Sequence, residues 1–186
     1  QLRAKISSLP FPSAASGSPN TSLDTSYVCV VDGDGNAFSA TPSDVSYDTP
    51  VIPGTGLCPS SRGSQSWAVP GHASCVAPGK RPRLTPCPSL AIMEGEFVMP
   101  LGTPGGDVQT QAMLQTFLNV IVFGMSPQEA VEHPRVGTWS APNSFAPHAA
   151  LPGRINLESR LPPATGDQLA EWGHDVEWWP QASVSS

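Results

Sequence analysis

Residues 24–37 read DTSYVCVVDGDGNA, and they mark an abrupt change in the character of the chain. From Tyr27 to Val31 the residues are β-branched or apolar, Asp32–Asn36 carry turn chemistry, and Ala37–Thr41 resume an extended pattern, which predicts a β-hairpin. Residues 7–22, by contrast, are almost entirely Ser, Pro, Ala, Gly, Asn and Thr. Such a composition predicts a mobile linker.

A hydroxyl residue, Thr25, stands at the join between linker and strand. It is either the first strand residue or a nucleophile that is released when the Asp24–Thr25 bond is cut. In the second case the new α-amine, with a pKa near ~8, would serve as its base.

The rest of the chain predicts an α+β fold with antiparallel strand pairing. Pro and Gly punctuate residues 42–88 without a sustained period, which indicates a long ordered loop region. The predicted elements are a second hairpin from residues 89–93 and 97–101, helices over 108–123, 126–133 and 166–172, and strands over 154–157 and 175–179.

The composition excludes several classes of function. The 186 residues contain 15 acidic and 9 basic side chains, so a basic nucleic-acid surface is missing, and no apolar run has the length of a membrane helix. The partners expected therefore include neither nucleic acid nor membrane. His72, His133, His148 and His174 lack metal-ligand spacing, so neither a metal nor another cofactor is expected. The four cysteines lack a C-x-x-C pair; they are expected to be free, mostly buried thiols, which favours a cytoplasmic protein over an exported one.

Five motifs in register give a more specific indication. From Thr25 to Trp179 the chain resembles the small subunit of the gamma-glutamyltransferase family, whose members are N-terminal-nucleophile hydrolases. The matching stretches are 24–27 with 30–37, 78–82, 102–106, 114–120 with 123–125, and 129–135. In character the chain is most similar to the branch with oxamate amidohydrolase and cephalosporin acylase-like members.

The resemblance implies an αββα sandwich built from a precursor that cuts itself. Residues 1–24 would be the tail of the large subunit and the linker before the cut at Asp24–Thr25. Residues 25–186 would be the catalytic small subunit, which we expect to be C-terminally truncated. The expected partners are the large subunit of the same precursor and a small-molecule amide.

The resemblance also implies a set of catalytic residues. Thr25 would be the nucleophile, and Ser43, eighteen residues on, would orient it. Gly105 and Gly106 precede a long helix and would hold the oxyanion; two glycines let the backbone approach a ligand and aim N–H groups at an anion, although an ordinary tight turn and helix cap explains them equally well.

Substrate-binding positions depart from the gamma-glutamyl pattern. Val45 replaces a family Asn, and Leu84 and Thr85 replace a Ser pair, while Arg62 is a candidate partner for a substrate carboxylate. Because the partners of an amino-acid ammonium are missing, the sequence predicts an amidohydrolase that forms an acyl-enzyme on Thr25. The alternatives are a true gamma-glutamyl transferase and glutathione hydrolase, and a non-catalytic fragment that never matures.

Overall fold

A computed structural model describes residues 25–44 and 49–179 of the chain. The first hairpin pairs β1 (Val28–Val31) with β2 (Ala37–Ala40) in antiparallel register, Val28 opposite Ala40. The Asp32 carboxylate accepts hydrogen bonds from the backbone N–H groups of Asp34 and Asn36, which closes the turn. This hairpin confirms the sequence prediction.

A second antiparallel hairpin joins β3 (Ser89–Met93) to β4 (Phe97–Leu101). Gly95 lies in its turn at φ +76°, a conformation that glycine adopts without strain. The two hairpins pack against each other, β2 contacting both β3 and β4. Both strands of this hairpin end where the sequence predicts.

Three α-helices follow the predicted pattern with small shifts at their ends. They are α1 (Gln109–Ile121), preceded by a 3-10 turn at Gly106–Val108, α2 (Pro127–Glu132) and α3 (Pro163–Glu171). Helix α2 begins with the predicted capping box, in which Ser126 and Glu129 each bond the other's backbone N–H. Helix α3 begins three residues before the predicted start.

The third sheet contains both antiparallel and parallel strand pairs, whereas only antiparallel pairs were predicted. Its strands are β5 (Val136–Thr138), β6 (Arg154–Glu158) and β7 (Asp175–Trp179). Strand β5 runs antiparallel to β6, but β7 runs parallel to β6 because α3 crosses over between them. Strand β5 was not predicted, since three residues are too short to show a period.

One buried carboxylate ties the third sheet together. Glu158, at the end of β6, is fully buried; it forms ion pairs with Arg160 and, at 3.4 Å, with Arg135 just before β5. Arg160 also donates to the backbone carbonyl of Glu132 at the end of α2. Two arginines on one acid therefore join α2, β5 and β6.

Apolar burial within the described residues is modest. The buried apolar side chains are those of Val108, Ala112, Met113, Ala130 and Leu157. Large apolar side chains on β1, β3 and α1 remain exposed, including Val30 at 58%, Ile92 at 68% and Leu114 at 57%. This fold leaves extended apolar faces on both hairpins and on α1.

The expectation of mostly buried cysteines was wrong. All four are free thiols, but Cys29 and Cys58 are exposed, and Cys75 and Cys87 are only partly buried. Cys29 lies on β1, a strand of a two-stranded sheet, and all four residues of this strand are exposed. Within residues 25–44 and 49–179, no helix is long and apolar enough to cross a lipid bilayer.

Candidate active site

The register of the first hairpin brings Thr25 opposite Ser43. Pairing continues beyond the two strands, since the Ser26 N–H donates to the Pro42 carbonyl at 3.0 Å. One step further, Thr25 Oγ1 lies 2.5 Å from Ser43 Oγ. The eighteen-residue separation noted in the sequence is thus the separation that this hairpin places side by side.

Arg62 lies directly behind this pair of hydroxyls, on a short 3-10 helix over Ser61–Gln65. Its Nη2 donates to Ser43 Oγ, its Nε donates to the Ser43 carbonyl at 3.1 Å, and its Nη1 donates to Thr85 Oγ1 at 2.9 Å. Burial lowers the pKa of the Arg62 guanidinium, while the charge of Asp44 acts in the opposite direction. The predicted candidate for a substrate carboxylate is therefore engaged with Ser43 and Thr85.

Thr85 and Leu84 have different surroundings. Thr85 is buried, and its hydroxyl accepts a second hydrogen bond from Gln65 Nε2 at 3.0 Å. Gln65 itself is fully buried. Leu84 is 52% exposed. Thr85 thus belongs to the hydrogen-bonded network around Arg62, and Leu84 lies outside it.

Both predicted oxyanion glycines adopt positive φ. Gly105 has φ +122° and Gly106 has φ +54°, and Gly106 is buried at the start of the 3-10 turn before α1. A φ of +122° strains any side chain, so position 105 needs glycine for conformational reasons alone. Their role as oxyanion donors stays a prediction.

Asp107 anchors a loop that no sequence pattern connects with the site. Its carboxylate accepts hydrogen bonds from the Ser144 backbone N–H, at 2.7 Å, and from the Ser144 hydroxyl. Arg83 lies 3.6 Å from the same carboxylate. Phe145 follows Ser144 in this loop, and the centroid of its ring lies 5.5 Å from the Arg62 guanidinium carbon. The position of Asp107 directly after the glycine pair could have indicated that Asp107 lies near the site. No feature of the sequence indicates this for Phe145.

The same loop is also bonded to the 3-10 helix that carries Arg62. The Ala146 N–H donates to the Ser64 carbonyl at 2.9 Å. Trp67 stacks on His148 on one side and on His72 on the other, with ring centroids 4.0 Å apart in each pair. The backbone around Arg62 is therefore held from two directions.

Tyr27 connects the strand that follows Thr25 to the strand that leads toward the glycine pair. Its ring packs on Gly102 so closely that a Cβ there would lie 2.2 Å from a ring carbon. The ring also lines an apolar cleft of about 530 Å³, together with Met113, Phe117 and Val131. Burial raises the pKa of the Tyr27 phenol, whose hydroxyl lies 2.9 Å from Ser39 Oγ.

Two predicted site residues, Asp24 and Val45, lie outside the described residues, as does the whole predicted segment 1–24. Their roles remain predictions. In the ranges 25–44 and 49–179, no cluster of three or more His, Cys, Asp or Glu side chains could hold a metal ion.

Comparison with known proteins shows a single family. The gamma-glutamyltranspeptidase family model matches residues 2–186. The Acylase ACY 1 proenzyme of Pseudomonas sp. (strain SE83) is 35% identical over 87% of this chain and 27% of its own length. The oxamate amidohydrolase proenzyme of Klebsiella pneumoniae is 34% identical over 83% of this chain and 28% of its own length. The chain thus spans little more than a quarter of these curated relatives.

A solved structure shows the same similarity in three dimensions. The gamma-glutamyltranspeptidase from Pseudomonas nitroreducens complexed with L-DON superimposes with a TM-score of 0.63 at 27% identity. That match covers 83% of this chain and 82% of the other chain.

Proposed function

The chain belongs to the gamma-glutamyltranspeptidase family, and on this premise we propose that it is the catalytic half of an amidohydrolase whose nucleophile is Thr25. The observation that carries the proposal is the 2.5 Å contact between Thr25 Oγ1 and Ser43 Oγ, backed by the Arg62 guanidinium. A threonine hydroxyl is a weak nucleophile unless a base and an orienting group activate it. Ser43 supplies the orienting contact, and cleavage before Thr25 would supply the base.

The reaction would proceed through an acyl-enzyme. Thr25 Oγ1 attacks the carbonyl carbon of the substrate amide while its hydroxyl proton passes to the Thr25 α-amine. The resulting ammonium then gives this proton to the leaving amine nitrogen as the C–N bond breaks, leaving an ester on Oγ1. Water, activated by the same α-amine, attacks the ester and restores the free hydroxyl.

The glycine pair is the proposed oxyanion site. Gly105 and Gly106, with their positive φ angles, lie at the start of the turn that leads into α1. Backbone N–H groups at such a position can donate to a developing negative charge, and losing one such donor typically raises a barrier by about 3 kcal/mol.

We also propose a large-subunit partner derived from the same precursor. Two relatives carry the word proenzyme in their names, and this chain spans about a quarter of each. The match to most of one chain of the Pseudomonas nitroreducens structure supports a separate chain of this extent. The exposed apolar faces of β1, β3 and α1 are the surfaces that such a partner would cover.

The names of the two proenzymes above and the site residues favour acyl groups without an α-ammonium. Arg62 brings a positive charge beside the nucleophile; the charge of Asp44 acts on this guanidinium, but no described carboxylate lies within 4 Å of its nitrogens. A second positive charge on the substrate is unfavourable next to this arginine. The second candidate, a gamma-glutamyl transferase, is supported by the likeness to the Pseudomonas nitroreducens enzyme.

A matched pair of substrates separates the two functions. Glutaryl p-nitroanilide and γ-glutamyl p-nitroanilide differ in the α-ammonium alone, so their kcat/KM ratio reports on that group. For the amidohydrolase we expect the glutaryl compound to be favoured by about 10-fold or more. Release of nitroaniline gives the rates, and ammonia release from oxamate is measured alongside. Equal rates, or a preference for the γ-glutamyl compound, would favour the transferase.

Maturation itself can be tested by mass. When the full-length polypeptide that carries this chain is incubated, we expect a fragment whose N-terminal residue is Thr25. Acid quenching during turnover of an amide should add one acyl mass to this fragment, on the peptide that begins at Thr25. An intact Asp24–Thr25 bond after long incubation would instead support the inert fragment.

A further inference from the structure

The central group behind the nucleophile is the Arg62 guanidinium, and its contacts define a direction of hydrogen bonding. Arginine has only donors, so Ser43 Oγ must accept the hydrogen bond from Arg62 Nη2. Ser43 Oγ also lies 2.5 Å from Thr25 Oγ1. A hydroxyl that accepts from a cation becomes a stronger donor to its other neighbours.

We propose that Arg62 is a positioning residue, which acts by turning the Ser43 hydroxyl proton toward Thr25 Oγ1. This inference rests on the proposed role of Thr25 as nucleophile. Thr25 Oγ1 then accepts from Ser43, and its own proton is left to point at the α-amine that receives it. The arginine thereby selects one of the two donor directions that a pair of hydroxyls can adopt.

The arrangement has its largest effect when the acyl group leaves. As the tetrahedral intermediate of deacylation collapses, the C–Oγ1 bond breaks and negative charge builds on Thr25 Oγ1. A Ser43 proton already directed at that oxygen stabilises the charge, and the nearby guanidinium strengthens the hydrogen bond. The α-ammonium returns its proton to Oγ1 to complete the step.

The surroundings of Arg62 keep its planar group in one orientation. Its Nε and Nη1 donate to the Ser43 carbonyl and to Thr85 Oγ1, while the buried Gln65 holds Thr85 from the other side. The Arg62 guanidinium carbon lies over the Phe145 ring, 5.5 Å from the ring centroid. A lysine ammonium carries its charge on a single nitrogen, so it cannot reproduce the three hydrogen bonds that the planar guanidinium donates from three nitrogens.

The test combines kinetics of the full-length polypeptide with a double-mutant cycle. The variants are Arg62→Gln, Arg62→Lys, Ser43→Ala and Arg62→Gln with Ser43→Ala; the control is Arg154→Gln, a partly exposed arginine paired with Asp175 in the third sheet. Glutaryl and γ-glutamyl p-nitroanilide are the probes, and the rate at which the Thr25 fragment appears is a second measurement. For Arg62→Gln acting on the glutaryl compound we expect kcat to fall about 10- to 100-fold with little change in KM, because on this proposal the Arg62 donors bond Ser43 and Thr85 rather than the substrate.

Two readouts distinguish positioning from a merely structural role. If Arg62 acts through Ser43, adding Arg62→Gln to Ser43→Ala should change kcat by less than about 2-fold. Loss of the cation should also raise the pKa of the Thr25 α-ammonium, moving the acidic limb of kcat/KM upward by about one pH unit, whereas Arg62→Lys should leave the limb near its original pH.

Three outcomes would overturn the inference. One is additive losses in the cycle, and another is a pH profile that Arg62→Gln leaves unmoved. The third is a raised KM for the glutaryl compound at unchanged kcat, which would assign Arg62 to the substrate carboxylate. Failure of the proposed function looks different: wild-type protein would turn over substrate without an acyl mass on the Thr25 fragment.

Discussion

Replacing Thr25 with alanine is expected to lower amide turnover by about 10⁴-fold or more and to stop cleavage of the Asp24–Thr25 bond. Both reactions need the same atom, Oγ1, as the attacking group, and alanine removes it. The structure places no other hydroxyl in the same position, among the described residues, because Ser43 lies on the opposite strand of the hairpin. The measurements are nitroaniline release and the mass of the full-length polypeptide before and after incubation.

Ser26→Ala is the matched control for this experiment. Ser26 is the adjacent hydroxyl residue, its side chain is exposed, and its backbone N–H, which pairs with Pro42, is kept in the variant. We expect it to retain nearly full activity. Thr25→Ser, which keeps the hydroxyl, should retain measurable turnover. If Thr25→Ala matured and hydrolysed amides like the wild type, the assignment of the nucleophile would be wrong.

Glu158→Ala is expected to destabilise the protein by about 3–5 kcal/mol, the largest stability effect we anticipate. Glu158 is fully buried; Arg160 donates a hydrogen bond to its carboxylate, and Arg135 Nε lies 3.4 Å from it. Removing the acid leaves two partly buried arginines without their shared carboxylate, and breaking a buried pair in this way typically costs that much. Urea unfolding, followed by tryptophan fluorescence at fixed protein concentration, gives the difference in free energy of unfolding.

Asp175→Ala provides a comparison within the same sheet. Asp175 pairs with Arg154 at 2.8 Å, but both side chains are accessible to solvent, so water replaces the lost contact. We expect this variant to unfold at almost the wild-type urea concentration. A shift for Glu158→Ala as small as that for Asp175→Ala would show that the buried acid does not hold α2, β5 and β6 together.

The parts of the fold that were predictable are those whose signals are local. Both hairpins carry their turn chemistry between the strands, and α2 carries its own cap in Ser126 and Glu129. The pairing of β7 alongside β6 was not predictable in this way, because its direction depends on the path of α3 over the sheet. The prediction that the cysteines are buried was wrong for the same reason, because the exposure of Cys29 depends on which strands cover β1.

The candidate site shows the same division. Thr25 was a candidate from its position at the junction of linker and strand, and the family resemblance added Ser43 eighteen residues on; the hairpin register converts that separation into a 2.5 Å contact. Arg62 was recognised as a candidate, but its bonds to Ser43 and Thr85 cross an irregular region without periodicity. Phe145 reaches the site because Asp107 holds the preceding Ser144, a contact spanning 37 residues. No sequence pattern over a short window records such a contact.

The close packing of Tyr27 on Gly102 restricts how this protein can change over generations. Any side chain at position 102 would occupy the space of the aromatic ring two residues from Thr25. Bulk gained at 102 must therefore be matched by bulk lost at 27. In descendants of this chain a side chain can arise at position 102 only together with a smaller residue at position 27.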